Sequence, residues 1–191
     1  MRWHVHSEEQ LYLDEWLDIK MVDVELPDGQ RLDHRVLRIP PYAGVVMVDK
    51  RQRVLLLWRH RFITDSWGWE IPGGRVEAGE QPITAAAREA EEETGWRPSL
   101  LRPLLCGQSA NGISDARQHV FRADRATRIG VPTDACEATC VEWVPLPDVP
   151  QLIAEQAIVS NISMAALLYT LVASDMPRSR GNHGCRPDPV R

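Results

Sequence analysis

Between Val76 and Trp96 the chain carries Glu77, Glu80, Glu89, Glu91, Glu92 and Glu93 against a single cation, Arg88. Residues 82–94 predict a helix, because Pro82 suits a first-turn position, three alanines follow closely and Gly95 stops the run. At 3.6 residues per turn, Glu89, Glu92 and Glu93 then share an arc of about 100°. Like charges three or four residues apart destabilise a helix by about 0.2–0.5 kcal/mol per pair. Such a face loses stability unless a cation binds to it. Hard divalent ions take oxygen ligands and are commonly shared between carboxylates and substrate phosphates, so the chemistry predicted is that of a metal site for Mg²⁺, with Mn²⁺ as a substitute. Ile83, Ala87, Ala90 and Thr94 make up the face expected to pack on the body of the protein, with Glu91 turned to water.

The spacing of these residues carries a resemblance. Gly74, five residues, Glu80, seven residues and then Arg88-Glu89-Ala90-Glu91-Glu92-Glu93-Thr94-Gly95-Trp96 resembles the Nudix box, with Ala90 and Trp96 at the two positions where a bulky aliphatic is usual. A signature of this length is specific, unlike a lone glycine motif. The resemblance implies an α/β (α+β) Nudix fold, a mixed sheet sandwiched between helices. It also implies metal-dependent hydrolysis of a diphosphate bond, with Glu89, Glu92, Glu93 and a backbone carbonyl at Gly73 or Gly74 holding the metal. In that reading Arg88 orients a glutamate and Glu80 supports from behind. Trp69-Glu70-Ile71-Pro72-Gly73-Gly74 is similar to the lead-in of ADP-ribose-type boxes, which adds Glu70 to the substrate-binding candidates. Arg61 stands where those relatives often carry a phosphate-contacting arginine; the ordinary alternative for Arg59 and Arg61 is a solvated strand edge. Asn111 replaces the proline that ADP-ribose-type relatives tend to have before Gly112, which weakens ADP-ribose as the specific substrate. On the loop 132–137, Glu137 is the expected residue to position the attacking water, with Glu142 second.

These residues need a frame, and the remaining sequence supplies one. Residues 11–39 read as a hairpin around the Pro27-Asp28-Gly29 turn, with a change of phase near Met21 that suggests a bulge. A lone hairpin is marginal in water. Residues 1–40 are therefore expected to dock, and the comparison with ADP-ribose-type relatives makes them a small antiparallel dimerisation element and the protein a homodimer. Residues 45–48 and 54–60 read as a second hairpin whose Val-Leu-Leu-Leu-Trp run is buried on both faces. Strands follow over 100–105, 118–123 and 140–144, and helices over 148–158 and 161–173, the last with Ile162, Ala165, Ala166 and Tyr169 inward. The catalytic domain then spans 41–173, and 174–191 is expected to be disordered for want of apolar residues.

A formal charge of −5 and a pI near 5.7 argue against general nucleic-acid binding. The apolar stretch 164–173 is too short to span a bilayer, and the amino terminus lacks a signal-peptide pattern, so a soluble cytoplasmic protein is expected. Cys136 and Cys140 have no second closely spaced Cys/His pair, and free thiols are expected in place of zinc. His34, His60 and His119 are isolated and read as structural. Trp16, Trp67 and Trp69 flank segments that could line a nucleobase pocket, although packing is the ordinary role of tryptophan. The substrate expected is a nucleoside diphosphate linked to another group, ADP-ribose or a nucleotide sugar. Nucleoside triphosphate or dinucleoside polyphosphate cleavage, and nucleotide sensing without catalysis, are the alternatives.

Overall fold

The computed structural model describes residues 2–133 and 139–175 and divides into two compact units. The first holds residues up to Pro41 together with Gln108–Arg117. Its sheet has three antiparallel strands, β1 (His4–Leu13), β2 (Asp18–Glu25) and β3 (Arg31–Arg38), in that order. The pairing of β2 with β3 runs unbroken from Asp18↔Arg38 to Glu25↔Arg31, while Val22 and Val24 are buried. The register shifts lie in β1, at Val5/Ser7 and Gln10/Tyr12, so the bulge expected near Met21 is on the neighbouring strand. β1 itself escaped the sequence reading because every one of its residues is exposed and no apolar alternation marks it. The segment 108–117 is tied to β3 by Leu37 N–H to Ile113 O at 2.8 Å and by Arg38 to Asp115 at 2.9 Å.

The second unit is a layered α+β body. One sheet has the order β7-β4-β10-β9, formed by β4 (Tyr42–Met47), β7 (Gly73–Arg75), β9 (Arg102–Gln108) and β10 (Arg117–Ala123). The partners β4 and β10 are parallel, whereas β4 and β7 are antiparallel. A second sheet joins β12 (Cys140–Pro145), β5 (Arg53–Arg61) and β6 (Ser66–Glu70). A short ribbon pairs β8 (Trp96–Ser99) with β11 (Arg125–Arg128). Strands β4 and β5 were expected to be a hairpin, but the pairing between them is confined to the Val48↔Val54 bridge beside the turn. Each exchanges that partner for others, because a run buried on both faces needs neighbours on both edges.

Alternation along β4 explains where the helices go. Ala43, Val45 and Met47 point to one side and meet Ala85, Ala86 and Ala90 of α1 (Pro82–Thr94). Val46 and Val48 point to the other and join Ile158, Ile162, Ala166 and Leu167, the last three from α3 (Asn161–Asp175). Helix α2 (Val149–Ala154) is shorter than expected, ending where Gln156 takes a positive φ of 58°. In α3 the inward residues are Ile162, Ser163, Ala166, Leu167 and Thr170; Ala165 and Tyr169 face out, one step round from the expected stripe. None of the described helices is long and apolar enough to cross a membrane. Residues 176–191, most of the segment expected to be disordered, lie outside the described residues.

Candidate active site at the acidic helix

Helix α1 has the bounds that Pro82 and Gly95 impose. Gly95 takes φ 70° and donates its N–H to Glu91 O at 2.9 Å, and a Cβ there would lie 2.6 Å from Gly130 O. Its buried stripe is Ala85, Ala86, Ala90, Glu93 and Thr94, while Ile83 is 39% exposed. The expected inner face is thus rotated, and the rotation carries Glu93 inward with it. Positions 86, 90 and 93 follow i, i+4, i+7, so an acid at 93 points where an apolar residue is usual.

Glu93 is 2% exposed and fully engaged. Arg59 Nη2 donates to its Oε1 at 2.6 Å, and Gly73 N–H donates to its Oε2 at 2.8 Å. Arg59 is itself only 3% exposed, which rules out for it the alternative of a solvated strand edge. Arg59 is the site residue that sequence reasoning missed. The one signal was an arginine directly following the buried run Val54–Trp58.

The other acids gather on Arg88. Its guanidinium donates to both oxygens of Glu80 at 3.1 Å, to Glu89 at 2.8 Å, to Glu92 at 3.0 Å and to Arg75 O at 3.1 Å. Hydrogen bonding to Glu80, then to Glu89 and Glu92, holds Arg88 firmly protonated. The same contact keeps the Glu80 carboxyl below the usual range. Glu91 points elsewhere and pairs bidentately with Arg97 at 2.8 and 2.9 Å. Gly74 is required by proximity, since a Cβ there would lie 2.5 Å from Glu89 Oε2.

Among the described residues no three His, Cys, Asp or Glu side chains converge as a ready-made metal cage. The donor set nevertheless fits a divalent ion. Glu89 lies against the missing Cβ of Gly74 and Glu93 against the N–H of Gly73, which puts two carboxylates on one glycine turn. Glu92 is the most open of the three, with a side chain 37% exposed. Hard oxygen donors in that arrangement suit Mg²⁺ or Mn²⁺ better than soft metals.

Two expected substrate-binding residues bind each other: Arg61 donates to Glu70 through Nε at 3.0 Å and Nη2 at 2.5 Å. The Arg61 side chain stays 51% exposed, within reach of an anion. Trp69 packs on Trp58 at 5.2 Å between ring centroids and on the apolar core, while Trp67, 48% exposed, stacks on Trp58 at 6.3 Å. Trp16 and Asn111 belong to the first unit, where both are exposed. Glu142 is on β12 and exposed. Glu137 lies outside the described residues. Cys106 is disulfide-bonded, while Cys140 is free and exposed and Cys136 lies outside the described residues.

Burial pushes the Glu93 carboxyl up to about 7, against the pull of Arg59 and the Gly73 N–H. An acid raised in this way holds its proton more tightly folded than unfolded. The stability it supplies is complete below its unfolded value of 4.5 and is lost as pH rises toward 7. With divalent ions chelated, the melting temperature of the wild type should therefore fall across that window relative to Glu93→Gln, whose amide does not titrate. Parallel melting curves for the two proteins would refute the assignment.

A family model described as the NUDIX domain matches residues 38–163. A Streptomyces rubellomurinus protein named CMP-5'-(N-acetyl-N-hydroxy-3-aminopropyl)phosphonate hydrolase is 42% identical over 171 residues, covering 90% of this chain and 83% of its own length. An ADP-ribose pyrophosphatase of Bacillus subtilis is 27% identical over 165 residues, 85% of this chain and 89% of its own. The crystal structure of an ADP compounds hydrolase superposes with a TM-score of 0.79 at 19% identity, covering 92% of this chain and 95% of that one; at that identity the likeness concerns the fold.

Proposed function

Since the chain belongs to the NUDIX family and is a Nudix hydrolase, we propose that it cleaves the anhydride joining a nucleoside 5′-monophosphate to the phosphate or phosphonate of a second small group. The observation that carries this reading is the acidic set Glu89, Glu92 and Glu93 braced on the Gly73–Gly74 turn by Arg88 and Arg59. The two named relatives support the choice of bond. A CMP-linked phosphonate and ADP-ribose differ in base and in partner, and share a nucleoside monophosphate in anhydride linkage. ADP-ribose, nucleotide sugars and CMP-linked phosphonates are thus one substrate class with different leaving groups.

In the reaction a water oxygen forms a bond to phosphorus, the bridging P–O bond breaks, and the departing phosphate or phosphonate takes up a proton. A divalent ion, Mg²⁺ or Mn²⁺, held by Glu89, Glu92, Glu93 and a carbonyl of Gly73 or Gly74, would neutralise the anhydride and make its water acidic. The protein's own part is positional. Arg88 holds Glu89 and Glu92 from one side, and Arg59 with the Gly73 N–H holds Glu93 from the other. Arg61 offers the exposed guanidinium for a phosphate oxygen, in exchange for part of its pairing with Glu70. The loop glutamate Glu137 remains the proposed residue for orienting water.

Release of nucleoside monophosphate should be measured with Mg²⁺ and with Mn²⁺ over CMP-linked phosphonates, ADP-ribose, nucleotide sugars, dinucleoside polyphosphates and nucleoside triphosphates. At least one linked substrate should exceed every triphosphate in kcat/KM by about tenfold or more, which is roughly 1.4 kcal/mol. Triphosphates as the fastest substrates, or no turnover at all, would overturn the reading.

The first unit is proposed to join two copies of the chain. Among the described residues strand β1 ends its sheet with an unpaired edge, and Trp3, Val5, Leu11, Tyr12, Leu13 and Trp16 in and around it are 46–65% exposed. An edge that pairs with its own copy across a two-fold axis makes one continuous sheet and satisfies the backbone groups of that edge, with the exposed apolar side chains beside it left to pack across the same axis. A monomeric mass by light scattering at micromolar concentration would rule this out.

A further inference from the structure

Tyr42 opens β4, and the sequence leaves two gaps for its ring. Gly44 and Gly73 face each other in the β4–β7 register. A Cβ on Gly44 would lie 2.7 Å from the Tyr42 hydroxyl oxygen and 2.9 Å from Cε1; one on Gly73 would lie 2.5 Å from the same hydroxyl. Glycine inside a strand costs conformational entropy and marks a place where something approaches closely. At Gly44 what approaches is the phenol, and at Gly73 its hydroxyl shares the space with the β4 backbone, Ala43 O and Gly44 Cα each lying 2.5 Å from where a Cβ would be.

That location puts the hydroxyl beside the site. It lies on the Cβ side of Gly73, whose N–H holds Glu93, and the charges of Glu93, Glu70, Arg59 and Arg61 all act on it. Nothing among the described residues hydrogen-bonds to it. A phenylalanine would pack across two glycines equally well. Tyr42 is half-buried and its hydroxyl is not among the buried atoms left without a partner, so its proton is available to an acceptor that enters from outside the chain.

We infer that the Tyr42 hydroxyl is a catalytic donor of this reaction, giving a hydrogen bond to a non-bridging oxygen of the bound anhydride. The inference rests on the proposed hydrolysis and adds one contact to it. The phenol keeps its proton throughout and acts as a fixed donor beside two ion pairs. An oxygen carrying partial negative charge is the partner such a donor favours. Gly44 and Gly73 are then the reason the donor stays still, since the ring cannot swing without leaving their slot.

Tyr42→Phe tests the hydroxyl alone, and Gly44→Ala keeps the hydroxyl but pushes it from its seat. Two measurements are needed: kcat/KM on the best linked substrate, and calorimetric affinity for α,β-methylene-ADP in Mg²⁺, a probe the enzyme cannot cleave. Both variants should melt near the wild type, lose about 10- to 100-fold in kcat/KM, and bind the probe about tenfold more weakly. Wild-type affinity for the probe together with wild-type turnover in Tyr42→Phe would overturn the inference, since packing alone would explain the residue. If the wild type binds the probe but cleaves nothing, weaker binding by Tyr42→Phe keeps the contact while the proposed hydrolysis fails. If the wild type binds no probe, both fall.

Discussion

Glu93→Gln should lower kcat about 1000-fold, roughly 4 kcal/mol of barrier, on whichever linked nucleotide the wild type cleaves. Both carboxylate oxygens of Glu93 are committed, one to Arg59 and one to the Gly73 N–H. An amide presents only one acceptor oxygen to these two donors, and it carries no charge for a divalent ion to share. The matching control is Glu91→Gln on the same helix. Glu91 pairs with Arg97, whose side chain is 60% exposed, so water and salt screen the pair and its loss costs little. Its loss should leave kcat within about twofold of the wild type, a shift of under 1 kcal/mol. Steady-state turnover of both variants, corrected for folded protein, decides the matter: equal rates would reduce the acidic helix to an ordinary charged surface. The correction is needed because Glu93 is buried. Read as a surface metal acid, Glu93 predicts little effect of its replacement on folding, whereas in the structure the change strands Arg59 without its carboxylate.

Why the helix could be placed from sequence while its buried acid could not is a matter of range. Both ends of α1 are fixed by residues acting on their own backbone, Pro82 through its ring and Gly95 through a left-handed φ of 70°, and both were read correctly. Strand partners are decided elsewhere. Nothing within residues 42–61 reveals that β4 will take β10 from about 75 residues along the chain, with β5 pairing to β12, so the nearer hairpin was the natural expectation. β8 and β11, four residues each and rich in arginine, carry too little periodicity to be seen. Among site residues, the box glutamates were found by spacing. Arg59 was weighed beside Arg61 but not placed in the site, because a cation at a strand end looks the same whether it faces water or a buried glutamate. Tyr42 stayed invisible for a related reason. Its setting depends on Gly44 and Gly73, 29 residues apart, meeting in register.

The Arg59–Glu93 pair also predicts the largest stability effect in the molecule. Arg59→Met should cost about 3–5 kcal/mol, since it removes one partner of a buried ion pair and leaves the other carboxylate in an apolar setting. Burial sets that magnitude, with side-chain exposures of 3% and 2% at the two partners. The companion pair makes the comparison: Arg61 is 51% exposed, so Arg61→Met at the Arg61–Glu70 contact should cost only about 0–1 kcal/mol. Combining Arg59→Met with Glu93→Leu should restore most of the lost stability, because two apolar side chains replace a buried pair at little net cost. Turnover should stay as low as in Glu93→Gln. Urea denaturation of the two single variants and the double variant closes a thermodynamic cycle. A coupling energy below about 1 kcal/mol would mean that Arg59 and Glu93 do not hold one another, and Glu93 would need another explanation for being buried.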